Sequence, residues 1–410
     1  MDGSLEPRGA FSEHGASVPG TPVPEDRRDA ASGRPRRSGW LGRSVVGFFI
    51  LLVIAIIVAS FVQIPYYAIT PGTAIDVAQM VTVPAKYRHP HRGGVYMTDV
   101  DLVPLRAIQY LFYRWNHADQ VVSSAELTGP ASSAQYDRQG IIDMVDARQA
   151  AKVVALSVLG YHVRAVPTGV VVYEPFPNTP ASAHLAVGDV ITSVDGKATT
   201  TLRGLQKVLA TKAPGERVEL TTHSFDVPAQ KAHGAALARV AVRLGRWRVK
   251  NNTLVCIPPG VSSHLPAAPR SVIVPACLGF SPYQAYRTAD MPFKVSIDSQ
   301  GIIGPSAGLA FTLGLLDQLD GGSLTAGKRV AATGTIAING AVGEVGGVAQ
   351  KTLAVRRAGA RVFFVPRAQY HTAEAHAGAH LKVVGVSSLR QALTYLEHSG
   401  GRLGARAKTA

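Results

Sequence analysis

The sequence predicts a multidomain α+β protein, with a single transmembrane helix ahead of a small β-rich domain and a larger, helix-bearing one. Three observations carry that prediction. The run Val45–Val62 (VVGFFILLVIAIIVASFV) holds 18 residues without a charge. The stretch 160–245 is built of short β-type segments separated by glycine turns, with one helical interval. The stretch 270–400 carries apolar helical patterns at 306–319 and again up to Gly359. A length of 410 residues allows two or three folded units at about 150 residues each.

Composition narrows the class. With 46% apolar and 17% charged residues the chain is globular, neither fibrous nor wholly disordered. Two cysteines are too few for a disulfide scaffold or a closed zinc site. Lys and Arg number 42 against 27 acidic residues, a formal charge of +15 that suits an anionic membrane surface or nucleic acid. No stretch interleaves basic and aromatic residues as a nucleic-acid groove does, so no nucleic-acid partner is expected.

The apolar run at 44–64 reads as an uncleaved anchor. It exceeds the roughly 7–15 residues of a signal-peptide core and follows a long N-terminal stretch. Arg34, Arg36, Arg37 and Arg43 crowd its N-terminal side, and no Lys or Arg follows until Lys86. The positive-inside rule therefore leaves residues 1–43 as a cytoplasmic tail, disordered by composition, and sends the rest across a cell membrane that is crossed once. In that oxidising compartment Cys256 and Cys277 either close a loop or remain two separate buried thiols.

Residues 65–159 read as a linking α/β region. The runs AIDVAQMVTV and GVYMTDVDLV suggest strands, Val103–Trp115 a helix, and Gly140–Leu159 a second helix stopped by Gly160. No catalytic residue types gather there. From 160 to 245, GVVVYEP is a strand, Gly188-Asp189 turns into Val190–Val194, Asp195-Gly196 marks a hairpin, and Leu202–Leu209 is a short amphipathic helix before the strand Arg217–Thr222. The series Thr179-Pro180-Ala181, Leu185, Gly188-Asp189, Val194-Asp195-Gly196 resembles a PDZ domain of bacterial envelope proteases. That resemblance implies a groove where a peptide adds as a strand, with Gly169, Val170, Val171 and Val172 at or near it. Ordinary core positions are the competing reading of those four residues.

Chemistry concentrates in two segments. In Ile303-Gly304-Pro305-Ser306-Ala307-Gly308, proline in a first turn and the following LAFTLGLLDQL place Ser306 near a helix N-terminus. A serine there serves as a helix cap, or as a nucleophile beside N–H groups that favour a developing oxyanion. The second segment runs from Thr333-Gly334-Thr335-Ile336 to Gly346-Gly347 and Lys351, which lies on a helix among Val348, Leu353 and Val355. Such a lysine is either a surface residue with a snorkelling stem or a desolvated base of lowered pKa. Together the segments closely resemble the proteolytic domain of the Lon family, in particular its membrane-anchored, PDZ-bearing branch without an ATPase module.

The resemblance implies an α/β fold over 270–400 and a serine endopeptidase. It implies Ser306 as nucleophile, Lys351 as general base and Thr333 as the residue that orients the lysine, with Gly304, Pro305, Ala307 and Gly308 forming the oxyanion loop. Polypeptides are the implied substrates, no cofactor or metal is implied, and the rings formed by such domains imply a homo-oligomer. Ile303 departs from the glycine usual in the membrane-anchored branch. The P-loop-like spacing at Gly322–Lys328 lacks the Ser/Thr that would hold magnesium, and His371, His376 and His380 lack the glutamate of a zinc protease helix. The alternative from another class is a PDZ-based peptide-binding scaffold carrying an inactive Lon-like domain.

Overall fold

The computed structural model describes residues 39–89, 93–224, 237–269, 274–321 and 323–404, with side chains from Ser44 onward. The expected cytoplasmic tail and its arginines lie outside the described residues, apart from the backbone of 39–43. The chain divides into residues 1–56 and 57–410. One helix, Gly39–Phe61, contains 23 residues, about 34 Å at a rise of about 1.5 Å each. Its segment Ser44–Phe61 has a mean hydropathy of 2.9 and none of it is buried by protein. By length and composition this helix is able to cross a membrane.

The second unit is organised around a six-stranded sheet. Its order is Lys382–Val386, Val362–Pro366, Arg329–Ala332, Gly94–Arg106, Gln63–Asp76 and Gln120–Ser123. The first four run parallel, and the last two junctions are antiparallel. Two of its interior strands therefore come from the segment 65–159, which is no linker. Val95 and Met97 alternate inward from Gly94–Arg106 and share a core with Val77, Leu156, Leu309, Phe311 and Phe364. Of the expected helix Val103–Trp115, the first four residues continue that strand and the helix is Ala107–Trp115.

A 26-residue helix, Ser133–Val158, begins well before the expected Gly140. Ser132 and Gln135 form a reciprocal capping box that satisfies the first turn. The glycine inside the helix leaves room for Ile303, whose Cδ1 would lie 2.9 Å from a Cβ at position 140. One face of the helix packs on Gly308–Leu319. Through Ile142 it also meets Val171, Val190 and Ala285 of a second sheet.

That second sheet is ordered Phe280–Ala289, Arg164–Pro175, Asp189–Val194, Arg217–Ser224 and Ala238–Arg243. It draws one edge strand from well beyond the expected boundary at 245. Gly169–Val172 belongs to an interior strand, paired with Phe280–Ala289 on one side and Asp189–Val194 on the other. Val170, Val171 and Val172 are fully buried. The expectation of a peptide groove at these four residues is corrected: no backbone edge remains there for an added strand. Val170 and Val172 instead pack with Ile191, Val194, Leu205 and Leu220.

Cys256 and Cys277 form a disulfide with a Cα–Cα separation of 5.9 Å. It ties the strands Thr253–Ile257 and Ala276–Cys277, both of which pair with Gly245–Lys250. Cross-linking residues 21 apart removes loop-closure entropy from the unfolded chain, worth about 3 kcal/mol. Reduction, or Cys256→Ser with Cys277→Ser, is expected to lower stability by about that much. Urea unfolding with and without reductant checks this, and coincident midpoints would refute it.

Candidate active site

The serine segment forms a tight turn on the side of the large sheet that faces the helix Ser133–Val158. Pro305–Ala307 is a single 3-10 turn, followed directly by the helix Gly308–Leu319. Gly304 holds φ at +92°, a conformation that costs a residue with a Cβ. Gly308 is required for another reason, since a Cβ there would stand 2.8 Å from Ile336 Cγ2 and 2.9 Å from its backbone nitrogen. The turn is fixed from three sides. Gly304 N–H donates to Gly140 C=O at 2.7 Å, and Gly334 N–H donates to Ser306 C=O at 2.9 Å. The Thr333 hydroxyl donates to the same Ser306 carbonyl at 3.2 Å.

Ser306 caps neither segment: the turn starts from Gly304 and the helix from Ala307. Its side chain is half-buried and lines a cleft of about 610 Å³. Lys351 lines the same cleft. It sits in the first turn of the helix Val348–Arg357, where every residue from Gln350 to Val355 is buried. Only 3% of Lys351 is exposed. Burial disfavours its ammonium and brings its pKa down to about 8, against a smaller opposing pull from the Asp99 carboxylate. The resemblance assigns Thr333 to the lysine. In the structure Thr333, one residue past the end of the strand Arg329–Ala332, donates its hydroxyl proton to the Ser306 carbonyl, which leaves the hydroxyl lone pairs free to accept.

The block 65–159, where no functional residues were expected, supplies one wall of the cleft. Asp99 and Asp101 line it from the strand Gly94–Arg106, and Asp143 from the helix Ser133–Val158. The alternation T-D-V-D-L, with two aspartates two apart on one strand face, was the available sequence signal. Asp99 accepts the Thr73 N–H at 2.6 Å and the Thr73 hydroxyl at 3.2 Å. Asp143 accepts the Tyr173 hydroxyl at 2.9 Å. Burial raises the Asp143 carboxyl to about 6, although that hydrogen bond works in the opposite direction. Ile303 also lines the cleft, held against Gly140.

Residues 282–395 match the family model described as the Lon protease (S16) C-terminal proteolytic domain. The chain carries a Lon-type proteolytic domain. A second model, the PDZ domain, matches residues 157–223. The Lon protease of Chloroflexus aggregans (strain MD-66 / DSM 9485) is 41% identical over 63 residues, 15% of this chain and 7% of that protein. The chain thus spans a small fraction of the curated relative it matches. Among solved structures, the PDZ domain of the SdrC-like protein from Listeria monocytogenes is 23% identical, covering 22% of this chain and 86% of that one, with a TM-score of 0.18. The second domain of a listeria protein is 16% identical, covering 30% and 87%, with a TM-score of 0.17. The sheet that contains the PDZ match packs on the helix Ser133–Val158 through Ile142. There Tyr173, inside the PDZ match, and Tyr283, at the start of the Lon match, hydrogen-bond to Asp143 and Asp146.

Proposed function

We propose that this chain is a membrane-anchored serine endopeptidase in which Ser306 and Lys351 form the catalytic dyad and the substrates are exported or envelope polypeptides. The observation that carries the reading is the placement of a half-buried serine and a buried, easily deprotonated lysine on one cleft of a Lon-type domain. Neutral Lys351 takes the Ser306 proton as Oγ attacks the peptide carbonyl carbon. Backbone N–H groups at the Pro305–Ala307 turn receive the oxyanion, as an open helix start is suited to do. The lysine then passes its proton to the departing amine. A water molecule, deprotonated by the same Nζ, hydrolyses the acyl-enzyme and restores the Oγ proton. The reading includes Gly39–Phe61 as the single span, with the N-terminus inside and the cleft outside, and a homo-oligomer as the working state.

The PDZ domain would select or gate substrate. Among the described strands its two sheet edges are Phe280–Ala289 and Ala238–Arg243. The first of these is tied to the start of the helix Leu202–Leu209 through the Gln284 amide. The test is cleavage of a fluorescently labelled, unfolded protein by the full chain in nanodiscs without ATP, beside Ser306→Ala. Cleavage by the parent alone is the expected result. Equal cleavage, or none by a folded parent, would replace this reading with a peptide-binding scaffold.

A further inference from the structure

The short helix Ala107–Trp115 (AIQYLFYRW) has an apolar side that no part of the described protein covers. Leu111, Phe112 and Trp115 are 52%, 71% and 77% exposed. At spacings of i, i+1 and i+4 they share one side of the helix. Three large side chains clustered in this way form a contiguous apolar patch, which isolated exposed residues do not. The surroundings indicate what would cover it. The first N–H of the helix, from Ala107, donates at 3.0 Å to the carbonyl of Val62. Val62 is the residue immediately after the helix Gly39–Phe61. The Tyr110 ring stands edge-on to Tyr66 with centroids 5.1 Å apart. Phe61 and Val62 are themselves 76% and 47% exposed. The patch is therefore continuous with the apolar end of the N-terminal helix, and the exposed Arg106 and Arg114 flank it.

We propose that Ala107–Trp115 lies in the headgroup–acyl boundary of a lipid bilayer, inserting Leu111, Phe112 and Trp115 beside the point where the chain leaves the membrane. Tryptophan and tyrosine favour that depth, and a short amphipathic helix binds there through its apolar face. Arg106 and Arg114 would meet lipid phosphates. The inference rests on the reading of Gly39–Phe61 as a membrane span.

The full chain carrying Trp40→Phe and Trp247→Phe, in nanodiscs, leaves Trp115 as the single tryptophan emitter. Lipids brominated near the headgroup end of the acyl chain are expected to quench it at least two-fold, and aqueous iodide to have little effect. Adding Phe112→Glu, an exposed substitution, is expected to weaken the bromolipid quenching. Quenching by iodide but not by bromolipid overturns the proposal. Shielding from both probes also overturns it, since the occupant would then be protein, a second copy included. A separate chain with Phe49→Trp and no other tryptophan reports the span through lipids brominated deep in the chain. An unquenched Trp at position 49 refutes the span alone, whatever Trp115 does. Quenching at 49 with none at 115 refutes the interfacial helix alone.

Discussion

Lys351→Met is expected to abolish peptide hydrolysis, a fall of about 10³-fold or more, while making the folded protein more stable. The two effects have one cause. Lys351 is 3% exposed, and its pKa of about 8 stands well below the usual lysine value of about 10.4. At pH 7 the folded chain must hold an ammonium where water scarcely reaches. At about 1.4 kcal/mol per pH unit this costs about 3 kcal/mol. Methionine fills a similar volume without the charge, so a gain on the order of 2 kcal/mol is expected. Lys351→Arg is equally inactive but gains nothing, since a guanidinium stays charged. Initial rates and urea midpoints measured on the same three proteins check this. A Lys351→Met variant that still cleaves would end the proposed role of the lysine.

Activity is expected to climb with pH. Only the neutral amine accepts the Ser306 proton, and the neutral fraction rises from about 1% at pH 6 to about 50% at pH 8. A rate increase of about fifty-fold follows, levelling above pH 9. Stability responds with the same sign in a different window. The folded pKa lies below the unfolded one, so between about pH 8 and 10.4 the unfolded chain binds more protons and stability rises with pH. The advantage of Lys351→Met should therefore shrink above pH 8 and vanish above about 10.4. A flat kcat/KM between pH 6 and 8 would show that no group of this pKa limits the reaction.

The legible parts of this molecule were those set by short-range pattern. The apolar run announced the helix Gly39–Phe61. The proline and glycines around Ser306 announced a turn opening a buried helix, observed as Pro305–Ala307 and Gly308–Leu319. Pairing between distant segments was not legible. Nothing local in Gly94–Arg106 declares that it runs parallel to Arg329–Ala332, more than 200 residues later, so a wall of the cleft passed for a linker. The run GVVV reads locally as a strand, but its neighbours depend on Phe280–Ala289, so the sequence left open whether these residues border a groove or lie in the core. Lys351 illustrates the same limit. A helix buried over six consecutive residues offers no polar face from which to tell an inward lysine from an outward one.

The strand Gln63–Asp76 carries the chain from Val62 to Ile69, which lines the cleft. At about 3.3 Å per residue, seven residues reach at most about 23 Å. An enzyme anchored at Val62 would thus work within a shallow layer over the bilayer. Polypeptides confined to that layer by spans of their own would meet the cleft at the high local concentrations of an intramolecular encounter, whereas freely diffusing chains would meet it only at their bulk concentration. Selection would then come from shared confinement to a surface as much as from the affinity of any pocket.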